Sequence, residues 1–104
     1  MRQSILDVAK DRILVMDGAM GTMIQEQRLG DTDYRGKRFA DYPADLVGAN
    51  DLLNLTQQAL IKEIHVSYLE SGADILTTNT FNSNLISMSD YRLERIVKEL
   101  NFEG

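Results

Sequence analysis

The chain has 104 residues and a formal net charge of −5 at pH 7, and 43% of its residues are hydrophobic. This composition allows one folded domain with a core. The acidic balance argues against nucleic-acid binding, and no apolar run reaches the ~18 residues of a membrane span. The sequence lacks cysteine, which excludes disulfides and thiolate metal ligands, and it opens without a signal segment. We expect a cytoplasmic protein.

The first predicted elements are a short helix and a strand. Ser4, with Asp7 three residues later, is a capping pattern that predicts a helix preceding Ile13. We expect that helix to cover apolar surface. The continuous apolar run Ile13–Met16 predicts a parallel strand that is buried on both faces.

The strand ends abruptly at Asp17, and residues 20–28 then show the apolar spacing of a helix. Asp17 could accept hydrogen bonds from a ligand ammonium group, while Gly18 and Gly21 would let a ligand approach the backbone. Amides that open the helix at Met20 could hold a carboxylate or a phosphate. Alternatively, Asp17 caps the helix without touching a ligand. The spacing leaves both interpretations open.

Residues 29–54 are polar and glycine-rich, and they predict a long loop of the kind that is often functional. Three aromatic residues, Tyr34, Phe39 and Tyr42, indicate that this loop is packed against the domain rather than disordered.

The remaining pattern predicts helix, strand and helix. Residues 56–71 have helical apolar spacing, with Asn54 or Thr56 as the cap and Gly72 as the left-handed residue after the helix. Residues 73–78 predict a short strand that ends in polar residues, including Asn79 and Thr80. A final helix is predicted from Ser87, which stands in capping-box spacing with Asp90.

The predicted fold class is therefore α/β, in the order βαβα with an extra N-terminal helix. In a parallel sheet, Asp17 and the Thr78–Thr80 cluster would lie together at the carboxyl ends of the strands, where ligands bind. Two strands cannot cover both faces of a parallel sheet. We expect the chain to be the front of a larger protein rather than a very small complete one.

Four blocks of the sequence carry a resemblance: Ile13–Gln25, Asp33–Phe39, Asn50–Gln57 and Glu63–Asn82. They resemble the homocysteine-binding domain of cobalamin-dependent methionine synthases and occur in the family's order. The Asp17–Thr22 segment is shared with other homocysteine methyltransferases, whereas Tyr34–Phe39 points to the cobalamin enzymes.

The resemblance implies the first part of a (β/α)₈ TIM barrel, truncated, with residues 1–104 as a partial homocysteine-binding domain. It implies that Asp17 contacts the substrate's amino group, that the Gly18 and Ala19 backbone contacts its carboxylate, and that Thr80 contributes more weakly. Methyl transfer from methylcobalamin would act on zinc-bound homocysteine. The zinc-binding cysteines would lie beyond residue 104, so the resemblance places no catalytic or metal-binding residue in this chain.

Further expectations follow from this resemblance. The partners would be homocysteine and the folate and cobalamin domains of the parent enzyme. The fragment alone would bind no cofactor, would be inactive, and could self-associate through open sheet edges. An alternative is a small α/β module that binds an amino acid or an anion at the Gly18–Thr22 turn.

Overall fold

A computed structural model describes residues 3–104 of the chain, and helices dominate them. The described helices are α1 (Ile5–Asp11), α2 (Met20–Glu26), α3 (Asp31–Arg35), the 3-10 helix η1 (Asn50–Leu52), α4 (Leu53–Thr56), α5 (Gln58–Glu70), α6 (Leu85–Ser89), the 3-10 helix η2 (Glu94–Ile96) and α7 (Val97–Glu103). No helix among these residues has both the length and the apolar character needed to cross a membrane.

The predicted α/β fold class is wrong, and with it the βαβα portion of a TIM barrel. Extended segments meet within residues 3–104 at one isolated parallel bridge, between Met16 and Ile75. The backbone N–H of Asp17 donates to the carbonyl of Ile75 (2.9 Å), and the N–H of Ile75 donates to the carbonyl of Val15 (3.1 Å). Neither predicted strand forms, and there is no sheet in the described part of the chain.

The predicted burial of the first strand is also wrong. Ile13 is 88% exposed, and Val15 and Met16 are more than half exposed. An apolar run becomes a buried strand only when other elements cover both of its faces, and a two-stranded pairing alone is marginal in water. In this structure α3, α5 and α7 pack against α4 instead. The helix α1 buries no residue, so the prediction that it covers apolar surface is wrong as well.

The core is built around η1 and α4, whose Leu52 and Leu53 are fully buried. The helix α4 contacts α3, α5 and α7. Tyr34 and Phe39 are buried beside Leu46, which confirms that residues 29–54 pack against the domain. They do not form one long loop, because α3, η1 and the start of α4 lie within them. The other buried apolar residues are Ile24, Ala49, Ile61, Ile64, Met88, Leu93 and Leu100.

Two predicted helix ends are confirmed. The Ser4 hydroxyl oxygen accepts a hydrogen bond from the Asp7 N–H (3.1 Å) at the start of α1. Gly72 has a φ of +109°, and the N–H of Ala73 donates to the carbonyl of Tyr68 (3.0 Å), which closes α5 in a Schellman motif. The start of α5 differs from the prediction. Its N-cap is Gln57, without a side-chain cap.

The final helix differs from its prediction in start and continuity. Asn84 caps α6, with its side-chain oxygen accepting from the Ser87 N–H (2.8 Å), so Ser87 lies inside the helix. The helix ends at Ser89, and Arg92 has a φ of +56°. The left-handed backbone at Arg92 interrupts the helical path before η2 and α7.

Candidate ligand-binding site

A pocket of about 400 Å³ lies between the turn that precedes α2, the segment that follows Ile75, and η1. Three of the predicted site residues, Asp17, Gly18 and Ala19, line it, but Thr80 does not. The Thr80 hydroxyl lies 2.7 Å from the hydroxyl of Thr78, which does line the pocket. The other lining residues are Met20, Gly21, Asn50, Asp51, Thr77, Asn79, Phe81 and Asn82.

Asp17 does not cap α2. The N-cap of that helix is Ala19, and no side chain caps it. Instead, the Asp17 Oδ2 atom accepts a hydrogen bond from the Thr77 N–H (3.0 Å) and so ties the two polar segments together. The interpretation of Asp17 as a helix cap is therefore wrong. The two polar clusters do lie beside one pocket, and the role of Asp17 in binding stays a prediction.

Gly18 allows a close approach by Tyr68 of α5. A Cβ atom at this position would lie 3.2 Å from the hydroxyl oxygen of Tyr68 and 3.3 Å from its Cε1 atom. The Tyr68 hydroxyl donates a hydrogen bond to the carbonyl of Ala19 (2.7 Å). The long helix α5 thus holds the turn that forms one wall of the pocket.

A second wall of the pocket is a buried polar cluster that was not predicted from the sequence. The Asn79 amide donates to the carbonyl of Asn50 and to the Asn54 side-chain oxygen, both at 2.9 Å. In return, the Asn54 amide donates to the carbonyl of Asn79 (2.7 Å). These bonds fix the segment after Ile75 against η1 and α4. Buried amides in such a network are satisfied by one another.

Asp51 belongs to the same wall and is only 2% exposed. Its Oδ2 atom accepts from the Asn82 N–H (2.9 Å) and from the Ser83 hydroxyl (2.5 Å). Nearby, the Tyr34 hydroxyl donates to the Asn50 side-chain oxygen (2.8 Å), and burial raises the pKa of Tyr34. A neutral phenol donor at this position is consistent with that shift.

A sequence signal for this wall did exist. Asn50 and Asn54 stand four residues apart and flank the apolar pair Leu52 and Leu53, which is helical spacing inside the predicted loop.

The pocket has an acidic lining. Two carboxylates, Asp17 and Asp51, line it, whereas its lining contains no Lys, Arg or His. In a partly enclosed site, unopposed carboxylates favour a ligand with a positive group.

The family model described as homocysteine S-methyltransferase matches residues 14–104. The chain belongs to the homocysteine S-methyltransferase family. That family is one of methyltransferases that act on homocysteine, an amino acid with a thiol side chain.

The part of the chain that matches the homocysteine S-methyltransferase family contains both walls of the pocket and excludes α1. The resemblance given above also implies zinc. Residues 3–104 contain no group of three or more His, Cys, Asp or Glu side chains placed to hold a metal ion. These residues do not fit a zinc site.

Proposed function

We propose that this chain forms the amino-acid-binding end of a homocysteine methyltransferase of the cobalamin-dependent methionine synthase type. The parent enzyme would transfer a methyl group from methylcobalamin, derived from methyltetrahydrofolate, to homocysteine and so form methionine. The family match over residues 14–104 supports the homocysteine part of this proposal. The resemblance of Tyr34–Phe39 supports the cobalamin-dependent type.

In this proposal, Asp17 accepts hydrogen bonds from the ammonium group of homocysteine. The observation that carries the proposal is the placement of Asp17, which lines the pocket while its Oδ2 atom is held by the Thr77 N–H. A carboxylate that is held by one oxygen presents the other in a fixed direction, and charge-assisted hydrogen bonds are the stronger ones. The backbone of Gly18 and Ala19 contacts the carboxylate of the ligand. Thr80 acts through Thr78, because Thr80 itself does not line the pocket.

The charge of the pocket argues against the alternative of an anion-binding module. A phosphate in this pocket would lie near Asp17 and Asp51 without any lining Lys, Arg or His to neutralise it. Like charges in a partly enclosed site repel, so an ammonium-bearing ligand fits the lining better than an inorganic anion.

Zinc and cobalamin, in this proposal, are held by other parts of the parent enzyme, and the folate and cobalamin domains are its partners. We expect the 104-residue chain alone to bind homocysteine without methylating it. Methionine formation by this chain from homocysteine and methylcobalamin would contradict that expectation.

Isothermal titration of L-homocysteine, under reducing conditions, tests the proposed binding. We expect Asp17→Asn to weaken binding by about 10- to 100-fold, because a hydrogen bond to a charged group contributes about 1.5–3 kcal/mol. Asp41→Asn is the matched control, since Asp41 is exposed and does not line the pocket. Wild-type affinity in Asp17→Asn, or a preference for phosphate in the wild type, would overturn the proposal.

A further inference from the structure

Asp51 is a buried carboxylate whose hydrogen-bonding capacity is only half used. It is 2% exposed, yet none of the ion pairs found within residues 3–104 includes it. Both of its hydrogen bonds end on Oδ2, and no donor in the described residues bonds to Oδ1. Aspartate is rarely buried to this degree without a cationic partner. The unpaired Oδ1 atom is not among the fully enclosed side-chain atoms without a partner in residues 3–104, so it keeps some accessible surface.

The pocket indicates where the missing partner would come from. Asp51 lines the same pocket as Asp17, and no cationic side chain lines it. A positive group that binds in the pocket would be attracted by both carboxylates. A primary ammonium has three N–H donors, so it can bond to two carboxylates at once.

We propose that Asp51 is a second specificity-determining carboxylate, whose Oδ1 atom accepts a hydrogen bond from the ligand ammonium group that Asp17 also binds. The inference rests on the proposed function and extends it. The pocket then recognises the amino group of homocysteine by two charges, one on each wall, and rejects thiol acids that lack an amino group.

A purely structural role is the competing explanation, since Asp51 holds the Asn82 N–H and the Ser83 hydroxyl. Asp51→Asn separates the two roles. The asparagine side chain keeps an oxygen that can accept both of those bonds, while the negative charge is removed. Asp41→Asn removes the same charge from an exposed position outside the pocket.

The experiment measures the Kd of L-homocysteine and of 4-mercaptobutanoate, which lacks the amino group, for the wild type and for the Asp17→Asn, Asp51→Asn and Asp41→Asn variants. The ratio of the two constants reports recognition of the amino group. We expect Asp51→Asn to lower this selectivity by about 10- to 100-fold, with Asp41→Asn equal to the wild type. Thermal melting of each variant checks the fold.

The outcomes distinguish the two proposals. If Asp51→Asn keeps the wild-type selectivity while Asp17→Asn loses it, Asp51 only holds the wall, and this inference fails while the proposed function stands. If the wild type shows no preference for homocysteine over 4-mercaptobutanoate, both fail.

A measurement on the wild type covers the case in which Asp51→Asn does not fold. The assigned ¹³Cγ resonance of Asp51 should shift when homocysteine is added and should stay in place with 4-mercaptobutanoate. An unchanged resonance with both ligands overturns the inference.

Discussion

Leu53, in the helical core, is fully buried, whereas Ile13, in the segment before the Met16–Ile75 bridge, is 88% exposed. Ile13 begins a run of four apolar residues, whereas Leu53 belongs to an apolar pair that Asp51 and Asn54 flank. The run that contains Leu53 lies where α3, α5 and α7 cover it. The run that contains Ile13 has no buried residue, although it is the more apolar of the two.

The N-terminal segment is instead held by polar contacts. Both terminal nitrogens of Arg12 donate to Asp74, at 2.8 and 2.6 Å, and the Val15 N–H donates to the same carboxylate (2.9 Å). The helix α1 buries no residue. Apolar content alone does not stabilise a segment, because the hydrophobic contribution scales with the area that is removed from water.

The largest expected effect is in the core. Leu53→Ala should lower the free energy of unfolding by about 2–5 kcal/mol, because it removes buried methyl groups and leaves a cavity. The matched variant Ile13→Ala should change it by less than about 0.5 kcal/mol, because Ile13 is already exposed. Urea denaturation measures both values. Similar losses in the two variants would show that the N-terminal segment is packed as tightly as the core.

A smaller, local effect on hydrogen exchange is expected when the Arg12–Asp74 ion pair is broken. Arg12→Ala should accelerate amide hydrogen exchange in α1 and at the N–H groups of Asp17 and Ile75, and should leave exchange in α5 unchanged. The matched variant Arg38→Ala removes a similarly exposed arginine, which pairs with Glu99 (2.7 Å). It should leave exchange in α1 as in the wild type. Equal protection of α1 in both variants would contradict the assigned role of Arg12.

The smallest expected effect is a pH dependence of folding stability that arises from the Asp74 carboxylate. The Arg12 guanidinium, followed by the Val15 N–H, lowers the pKa of Asp74 from 3.8 to about 2. A carboxylate with a lowered pKa in the folded state stabilises that state above its ordinary pKa, and the contribution is lost as the pH falls from about 4 through about 2.

Carboxyl NMR titration of Asp74 checks this shift. In Arg12→Ala the pKa should return toward 3.8, because the remaining Val15 hydrogen bond is the smaller cause. An Asp74 pKa near 3.8 in the wild type would contradict the prediction. Protection of α1 should decrease over the same pH interval, while protection in α5 should not follow the Asp74 titration.

Features that depend on neighbouring residues could be predicted from the sequence. The Ser4 cap and the Gly72 turn need only residues within one helical turn, and both are confirmed. The strand at Ile13–Met16 could not be judged in this way, because its burial depends on elements far along the chain that would have to cover it. The helices η1 and α4, which meet at Leu52 and Leu53, were not predicted, because the nearby glycines and proline indicated a loop.

The same distinction holds for the candidate site. Asp17 was identifiable because an apolar run ends there in an acid and a glycine. Asp51 was not, since its partners Asn82 and Ser83 stand 31 and 32 residues away and no local pattern connects them. Long-range polar contacts of this kind become visible only when the fold brings the two segments together.

The hydrogen bond from Tyr68 to the carbonyl of Ala19 has a consequence for the orientation of one peptide group. In a trans peptide, the carbonyl and the N–H of the next residue point in opposite directions. Tyr68 does not line the pocket, so it turns the Ala19 oxygen toward α5, and the Met20 N–H on the same plane faces the other way. A tyrosine on the longest described helix thus sets whether this peptide offers a ligand its acceptor or its donor.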